Sequence, residues 1–314
     1  MTAPRLQPLV RARFAALGDE GAAWVAALPA LLAGLERDWG IRLGRPLPGG
    51  SASYVVRATT ADGEPRVVKV GLPDASQAAE ARTLEAAGGV GYARLHAHDP
   101  ARGSLLLESL GDSLDRRGGR PEDTLCVLTD LLRDAWRVPL DLAPEVLPGE
   151  DKASELHALV SRLWDRLDPP TPVAVRDRAL QYAETLAERF DPERCVVVHG
   201  DPHPANALRV REGRRGAELG YVFVDPDGFR ADPAYDLGVI LRDWSSRLTG
   251  TDPVAVARRL TRLVATRSGL PEDRIWAWAY LERVSTGLYV SGFGAEQVGH
   301  PFLASAESLL PGCP

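Results

Sequence analysis

The chain has 314 residues, is 45% apolar and 25% charged, and carries a net charge of −6 at neutral pH. That composition suits a globular protein large enough for two packed lobes, and it lacks the basic excess of a nucleic-acid binder. No apolar run approaches the ~20 residues of a membrane-spanning helix, the N-terminus has no signal-peptide core, and Cys126, Cys195 and Cys313 form no CxxC pair or metal spacing, so a reducing cytoplasm is the expected setting.

Residues 20–39 place Trp24, Leu28, Leu31, Leu32, Leu35 and Trp39 at helical spacing. Pro29 is expected in a first turn or at a kink, which divides the stretch into two short helices. From 41 to 108 the texture is that of strands. Between Leu47 and Val55 runs LPGGSASYV, a hairpin tip in which Gly49, Gly50, Ser51 and Ser53 can bring N–H groups and hydroxyls to phosphate oxygens. By itself a Gly-Gly-Ser turn is more often only a turn.

ADGE at 61–64 reads as the next hairpin turn, and PRVVKV sets Lys69 near the end of a short strand. Of 37 basic residues only Lys69 and Lys152 are lysines, so a lysine marks a position that arginine does not serve. A helix follows, with Asp74 as N-cap and Gly88-Gly89 as its stop. Glu80 and Glu85 are both candidate partners of Lys69. Glu80 is preferred because it shares a helix face with Leu84, which can anchor that face on the sheet.

Two more strands, carrying His96 and His98 on the first, end at Glu108-Ser109-Leu110-Gly111, where a hinge between lobes would lie. Beyond it helices are expected from 121, at 151–168 and at 174–190. Later ones are expected at 234–249, 253–268, 272–292 and 301–310. The aromatic residues of WAWAYLERVSTGLY are expected to build core.

The chemistry gathers between these two helical groups. A β-branched run delivers the chain to His199-Gly200-Asp201; Asn206 follows five positions after Asp201, and a hairpin ends on Asp225. A carboxylate to accept a hydroxyl proton, with an amide oxygen and a second carboxylate to hold Mg²⁺, is equipment for moving a phosphoryl group from ATP. The spacing Asp-x-x-x-x-Asn is that of a kinase catalytic loop, with Gly200 where an arginine is usual.

Taken in order, LPGGSASYVVRA, VVKVGLP, LLLESLGDSL, VVVHGDPHPANALR and FVDPDGFRADPAYDLGVILRDW resemble the aminoglycoside phosphotransferase family, small-molecule relatives of the protein kinases. Within it they resemble the branch of streptomycin 6-phosphotransferases and hydroxyurea phosphotransferases. The resemblance spans roughly residues 25–310. It implies an α+β, bilobal protein-kinase-like fold. Residues 1–108 would form a nucleotide-binding lobe, an antiparallel sheet with a helix and a leading helix, and 109–314 a mainly helical catalytic and substrate-binding lobe. It implies Asp201 as catalytic base or orienter, Asn206 and Asp225 as Mg²⁺ ligands, and Lys69 on the α- and β-phosphates with Glu80 orienting it. The loop Gly49–Ser53 would cover the phosphates, and backbone groups at Glu108–Leu110 would meet the nucleobase. His199 becomes a structural residue of the loop and Asp236 the buried aspartate that braces it. Two departures matter. DPDG stands for the protein-kinase D-F-G, so Asp227 can share the metal role, and Gly200 removes the arginine that senses activation-loop phosphorylation, so constitutive activity is expected.

The expected donor is ATP, with GTP as an alternative. The expected acceptor is a cationic small molecule, and the expected state a monomer or weak dimer without membrane or nucleic-acid partners. Three competing readings are a kinase of another small hydroxyl compound, a nucleotide-binding scaffold without turnover, and a metal-dependent hydrolase that uses His199-x-Asp201-x-His203 as ligands.

Overall fold

The computed structural model describes residues 6–48, 53–245, 248 and 252–313. Two helices lead the chain, α1 (Pro8–Ala16) and α2 (Gly18–Trp39). Helix α1 was not expected from the sequence. It crosses α2 so closely that a Cβ on Gly21 would stand 1.8 Å from the Phe14 carbonyl oxygen. Phe14 and Trp24 stack there with ring centroids 3.9 Å apart.

The expected break at Pro29 does not occur, because α2 runs through it to a left-handed cap at Gly40. Proline removes one N–H bond to the carbonyl four residues back. That carbonyl belongs to Val25, which is on the exposed side, where water can take the bond. The buried stripe of Trp24, Leu28, Leu32 and Leu35 continues across the proline and packs the helix against the sheet on both sides of it.

The sheet has strands β1 (Ile41–Pro46), β2 (Tyr54–Thr60), β3 (Pro65–Val70), β4 (Leu95–Asp99) and β5 (Ser104–Glu108) in the order β1-β2-β3-β5-β4, with every pair antiparallel. Side chains alternate between its faces. Val68 and Val70 pack with α1 and α2, and Val67 joins the other core. Lys69 therefore faces away from the leading helices. Helix α3 (Ala75–Ala87) lies on that second side, between an Asp74 side-chain cap and left-handed Gly88.

The second core is larger and continuous. Leu84, Leu105 and Leu107 share it with helices α4 (Pro121–Ala135), α5 (Lys152–Leu167), α6 (Val173–Glu188), α7 (Ala234–Arg242), α8 (Pro253–Ser268), α9 (Glu272–Ser291) and α10 (Glu296–Leu309). Four short strands interrupt the helices: β6 (Val196–Val198) pairs with β9 (Phe229–Ala231), and β7 (Ala207–Arg209) with β8 (Tyr221–Phe223). Helix α9 is buried around most of its circumference. A Cβ on Gly238 would come within 2.6 Å of the Trp278 Cβ, so α7 and α9 touch at backbone distance. Three expectations need correction. Helix α7 stops at Arg242, and α10 starts at Glu296 with Pro301 inside it. Trp276, Trp278 and Tyr280 are core, but Tyr289 is 52% exposed, on a side of α9 that α10 leaves uncovered while packing closely at Gly287 and Ser291.

Among the described residues no helix is long and apolar enough to cross a membrane.

Candidate active site

Strand β6 ends on a turn fastened from several sides. His199 is fully buried; its Nε2 donates to the Val224 carbonyl at 3.0 Å, and its Nδ1 accepts from the Asp201 N–H at 3.2 Å. Burial lowers its pKa to about 4, so the ring is neutral and both nitrogens are spent on the loop. That removes His199 as a metal ligand and with it the hydrolase reading. Asp236 of α7 accepts from the N–H groups of His199 (2.8 Å) and Gly200 (2.9 Å) and from Trp136 Nε1 (2.9 Å). It is the brace expected from the sequence. Burial pushes its carboxyl up to about 6 against those three donors. Gly200 has φ +93°, and a Cβ there would meet the Asp227 carboxylate at 2.4 Å. Neither an arginine nor any other side chain fits where Gly200 stands.

This turn presents the Asp201 side chain. Its Oδ1 accepts from Arg242 NH2 at 2.6 Å, and its Oδ2 lies 3.4 Å from His203 Nε2. Burial raises the Asp201 pKa, but the charges of Arg242 and His203 outweigh it and the net shift is downward. Asn206 Nδ2 donates to the Asp201 carbonyl at 3.0 Å, which leaves the amide oxygen as the end available to a cation. The Asn206 carbonyl in turn accepts from the Val224 N–H at 2.9 Å, so the β7–β8 hairpin holds Asn206 beside Asp225.

Asp225 has φ +59°, in the left-handed region that aspartate tolerates better than most residues. Its Oδ1 lies 3.0 Å from Lys69 Nζ, which also contacts both Glu80 oxygens at 2.7 Å. Burial works against the Lys69 ammonium, but Asp225 and Glu80 more than compensate and carry its pKa upward. Burial pushes Glu80 up to about 7 while Lys69 pulls it down. The bidentate 2.7 Å geometry is that of an ion pair. Glu80 is thus the partner, and Glu85 is not. Gly228 lets α3 approach: a Cβ there would sit 2.1 Å from Thr83 Oγ1, and its φ is +64°. Asp227 packs over Gly200 rather than beside Lys69. Burial first, and then the Asp201 charge, lift its carboxyl to about 6.

At the end of β5, Arg214 from the loop between β7 and β8 donates through Nε and NH2 to the two Glu108 oxygens, and also to the Gly89 and Tyr92 carbonyls. Burial raises Glu108, but the Arg214 hydrogen bonds bring its pKa below the ordinary value. Leu110 packs on Val210, Ala217 and Val222 of the same hairpin region. Ser53 is buried at the start of β2. Gly49, Gly50 and Ser51 lie outside the described residues. The base of their loop is fixed, since Gln7 Nε2 donates to the Leu47 (2.8 Å) and Val55 (3.0 Å) carbonyls.

Hydrogen bonds thereby join Lys69 to Glu80 and to Asp225, 156 residues away, and Asn206 to Asp201, and the two sets meet where the Val224 N–H, next to Asp225, donates to the Asn206 carbonyl. Sequence reasoning missed Arg242, its partner Glu282, and Arg214. Arg242 closes the buried apolar stretch LGVIL, and a charge there is the only local sign that it has a partner. Among the described residues no group of three His, Cys, Asp or Glu side chains could hold a metal ion. The oxygens of Asn206 and Asp225 are hard donors of the kind Mg²⁺ takes two at a time, with phosphates and water completing its shell.

The family model for aminoglycoside/hydroxyurea antibiotic resistance kinases matches residues 39–294. The chain is 31% identical over 307 residues to a streptomycin 6-kinase of Streptomyces glaucescens, covering 96% of both. It is 29% identical over 295 residues to a hydroxyurea phosphotransferase of Kitasatospora aureofaciens, covering 93% of this chain and 82% of that one. Among solved structures, an aminoglycoside phosphotransferase of Streptomyces rimosus in complex with ADP and streptomycin superposes with a TM-score of 0.52 at 20% identity, over 82% of this chain and 98% of that one. An ethanolamine kinase of Plasmodium vivax gives a TM-score of 0.59 at 12% identity, over 91% and 88%. At these identities the two structures speak for the kinase-like fold alone.

Proposed function

The chain belongs to the aminoglycoside/hydroxyurea antibiotic resistance kinase family, and on that premise we propose that it transfers the γ-phosphoryl group of ATP to a hydroxyl of a streptomycin-like aminoglycoside. The observation that carries this reading is the network itself: Asn206 donates to the Asp201 carbonyl and is held through Val224 beside Asp225, and Asp225 contacts the Lys69–Glu80 pair. Asp201 orients the acceptor hydroxyl and takes its proton as the bond to phosphorus forms. Lys69, held by Glu80, binds the α- and β-phosphates, and Asn206 and Asp225 hold Mg²⁺. When bound, that ion neutralises charge on the nucleotide phosphates. The loop 49–53 covers the phosphates, and the hinge backbone at Glu108–Leu110 meets the nucleobase. We place the junction between the lobes at 108/109.

Charge supports a cationic acceptor. Around Asp201 the carboxylates of Asp243 and Glu282 share a single guanidinium, that of Arg242. The relatives named above act on streptomycin and on hydroxyurea, so hydroxyurea is the second reading; it needs the same reacting groups and a smaller pocket. ATP is the proposed donor before GTP. The protein is proposed to be a cytoplasmic monomer or weak dimer.

The deciding experiment is an ATP-consumption screen against streptomycin, other aminoglycosides, hydroxyurea and a panel of amino sugars, with Asp201→Ala as the blank. Turnover of streptomycin above the blank is the expected result. Turnover of hydroxyurea alone selects the second reading, and ATP binding without turnover on any acceptor rejects both.

A further inference from the structure

We propose that Arg242 is the positioning residue of Asp201: its guanidinium, anchored by Glu282, fixes the carboxylate so that Oδ2 is the oxygen presented to the acceptor hydroxyl. The inference rests on the phosphotransferase reading and adds to it a role for Arg242, a residue to which the sequence reading assigned none.

The backbone of Asp201 is held by the loop, since its N–H donates to His199 Nδ1 and its carbonyl accepts from Asn206 Nδ2 and the His203 N–H. None of these bonds fixes the side chain. Its carboxylate is 44% exposed and touches His203 only at 3.4 Å, so the short contact that sets its rotamer is Arg242 NH2 to Oδ1, at 2.6 Å. A reacting oxygen that swings between rotamers loses the alignment on which phosphoryl transfer depends.

Arg242 is itself immobilised. Its NH1 donates to Glu282 Oε2 at 2.8 Å and to Thr286 Oγ1 at 3.1 Å, and its Nε to Asp243 Oδ1 at 3.4 Å. Glu282 is nearly fully buried within α9, whose backbone is set against α7 at Gly238. The chain of contacts runs from a rigid helix pair, through Glu282 and Arg242, to one oxygen of Asp201. An arginine is required because its planar fork reaches Asp201 and Glu282 at once, whereas an ammonium is a point charge on a flexible stem.

The test is a kinetic cycle. Arg242→Gln, Arg242→Lys, Glu282→Gln and the charge-balanced pair Arg242→Gln/Glu282→Gln are compared with wild type, each also in an Asp201→Asn background. Both streptomycin phosphorylation and acceptor-free ATP hydrolysis are followed. Arg242→Gln should lower kcat by roughly 10- to 100-fold with little change in KM for ATP, and Glu282→Gln by less, since it acts one contact further away. In the Asp201→Asn background the losses should largely disappear, because the group being positioned has gone. Equal losses in both backgrounds would mean that Arg242 only stabilises the fold. A rise in kcat in Arg242→Gln would mean that the contact restrains Asp201 instead of aligning it. Either result overturns the proposal. Should Arg242→Gln fail to fold, Glu282→Gln and the charge-balanced pair carry the same comparison. If wild type phosphorylates no acceptor, the functional reading fails while ATP hydrolysis still judges Arg242. If it hydrolyses no ATP either, both fail.

Discussion

Arg214 holds Glu108 through two parallel hydrogen bonds, Nε to Oε1 at 2.9 Å and NH2 to Oε2 at 2.7 Å, although 106 residues separate them. The same guanidinium reaches the carbonyls of Gly89 and Tyr92. A single side chain from the β7–β8 loop thus ties the end of α3, the approach to β4 and the end of β5. Breaking a largely buried pair leaves an uncompensated charge, so Arg214→Ala should cost about 3 kcal/mol of stability. The backbone at Glu108–Leu110, proposed above to meet the nucleobase, should lose its fixed place as well, raising KM for ATP several-fold. Urea unfolding and ATP saturation curves check the two effects separately.

Asp201→Ala should lower kcat by roughly 10²–10⁴, the span for a positioned proton acceptor. KM for ATP should stay near its wild-type value, because no bond links the Asp201 side chain to Lys69 or Glu80. Steady-state kinetics on the acceptor found by the screen measure this, and near-normal turnover would sink the assignment of Asp201.

Lys69→Arg keeps the charge and should still be damaging. The ammonium contacts Glu80 at 2.7 Å and Asp225 at 3.0 Å from a buried position on β3. A guanidinium is wider and planar and cannot occupy that point without displacing α3. KM for ATP should rise and kcat should fall by roughly tenfold or more, in keeping with the loss of a charge-assisted contact. Unchanged values for both would argue against a phosphate role.

The buried imidazole of His199 sets an acid-side dependence of stability. Its folded pKa, about 4, lies below the ordinary value of 6.5. Between these values the unfolded chain binds the proton and the folded one does not. The neutral-histidine contribution is therefore fully present above about 6.5 and is lost as pH falls toward 4. The loss should amount to about 3 kcal/mol across that window. Asp236 and Asp227, raised to about 6, act in the opposite sense, so the comparison must be a difference. Wild type should lose stability relative to His199→Gln as pH is lowered from 6.5 to 4, measured by urea unfolding at each pH. Parallel pH curves for the two proteins would contradict the neutral, buried state of His199.

The features legible in the sequence are those whose cause is local. His199-Gly200-Asp201 and Asn206 lie on one tight turn, and their spacing survives folding because a few φ/ψ angles determine it. Lys69 could be read from its strand and its rarity, and Glu80 from sharing a helix face with Leu84. Pro29 shows the reverse: a strong local signal for a break was overruled because α2 buries its apolar stripe against the sheet on both sides of the proline.

By itself, the sequence determined the order of a kinase-like chain and pointed to the groups proposed to react, since strand periods, turn glycines and the Asp-x-x-x-x-Asn spacing act over a few residues. Only the tertiary structure decided which charges hold those groups still. Arg242 meets Asp201 and Glu282 across separations of 41 and 40 residues, and Arg214 meets Glu108 across 106. Ion pairs of this kind have no period and no required spacing. They exist because helix packing at Gly238 and the path of the β7–β8 hairpin bring the partners together, and that proximity belongs to the packed core rather than to any stretch of chain.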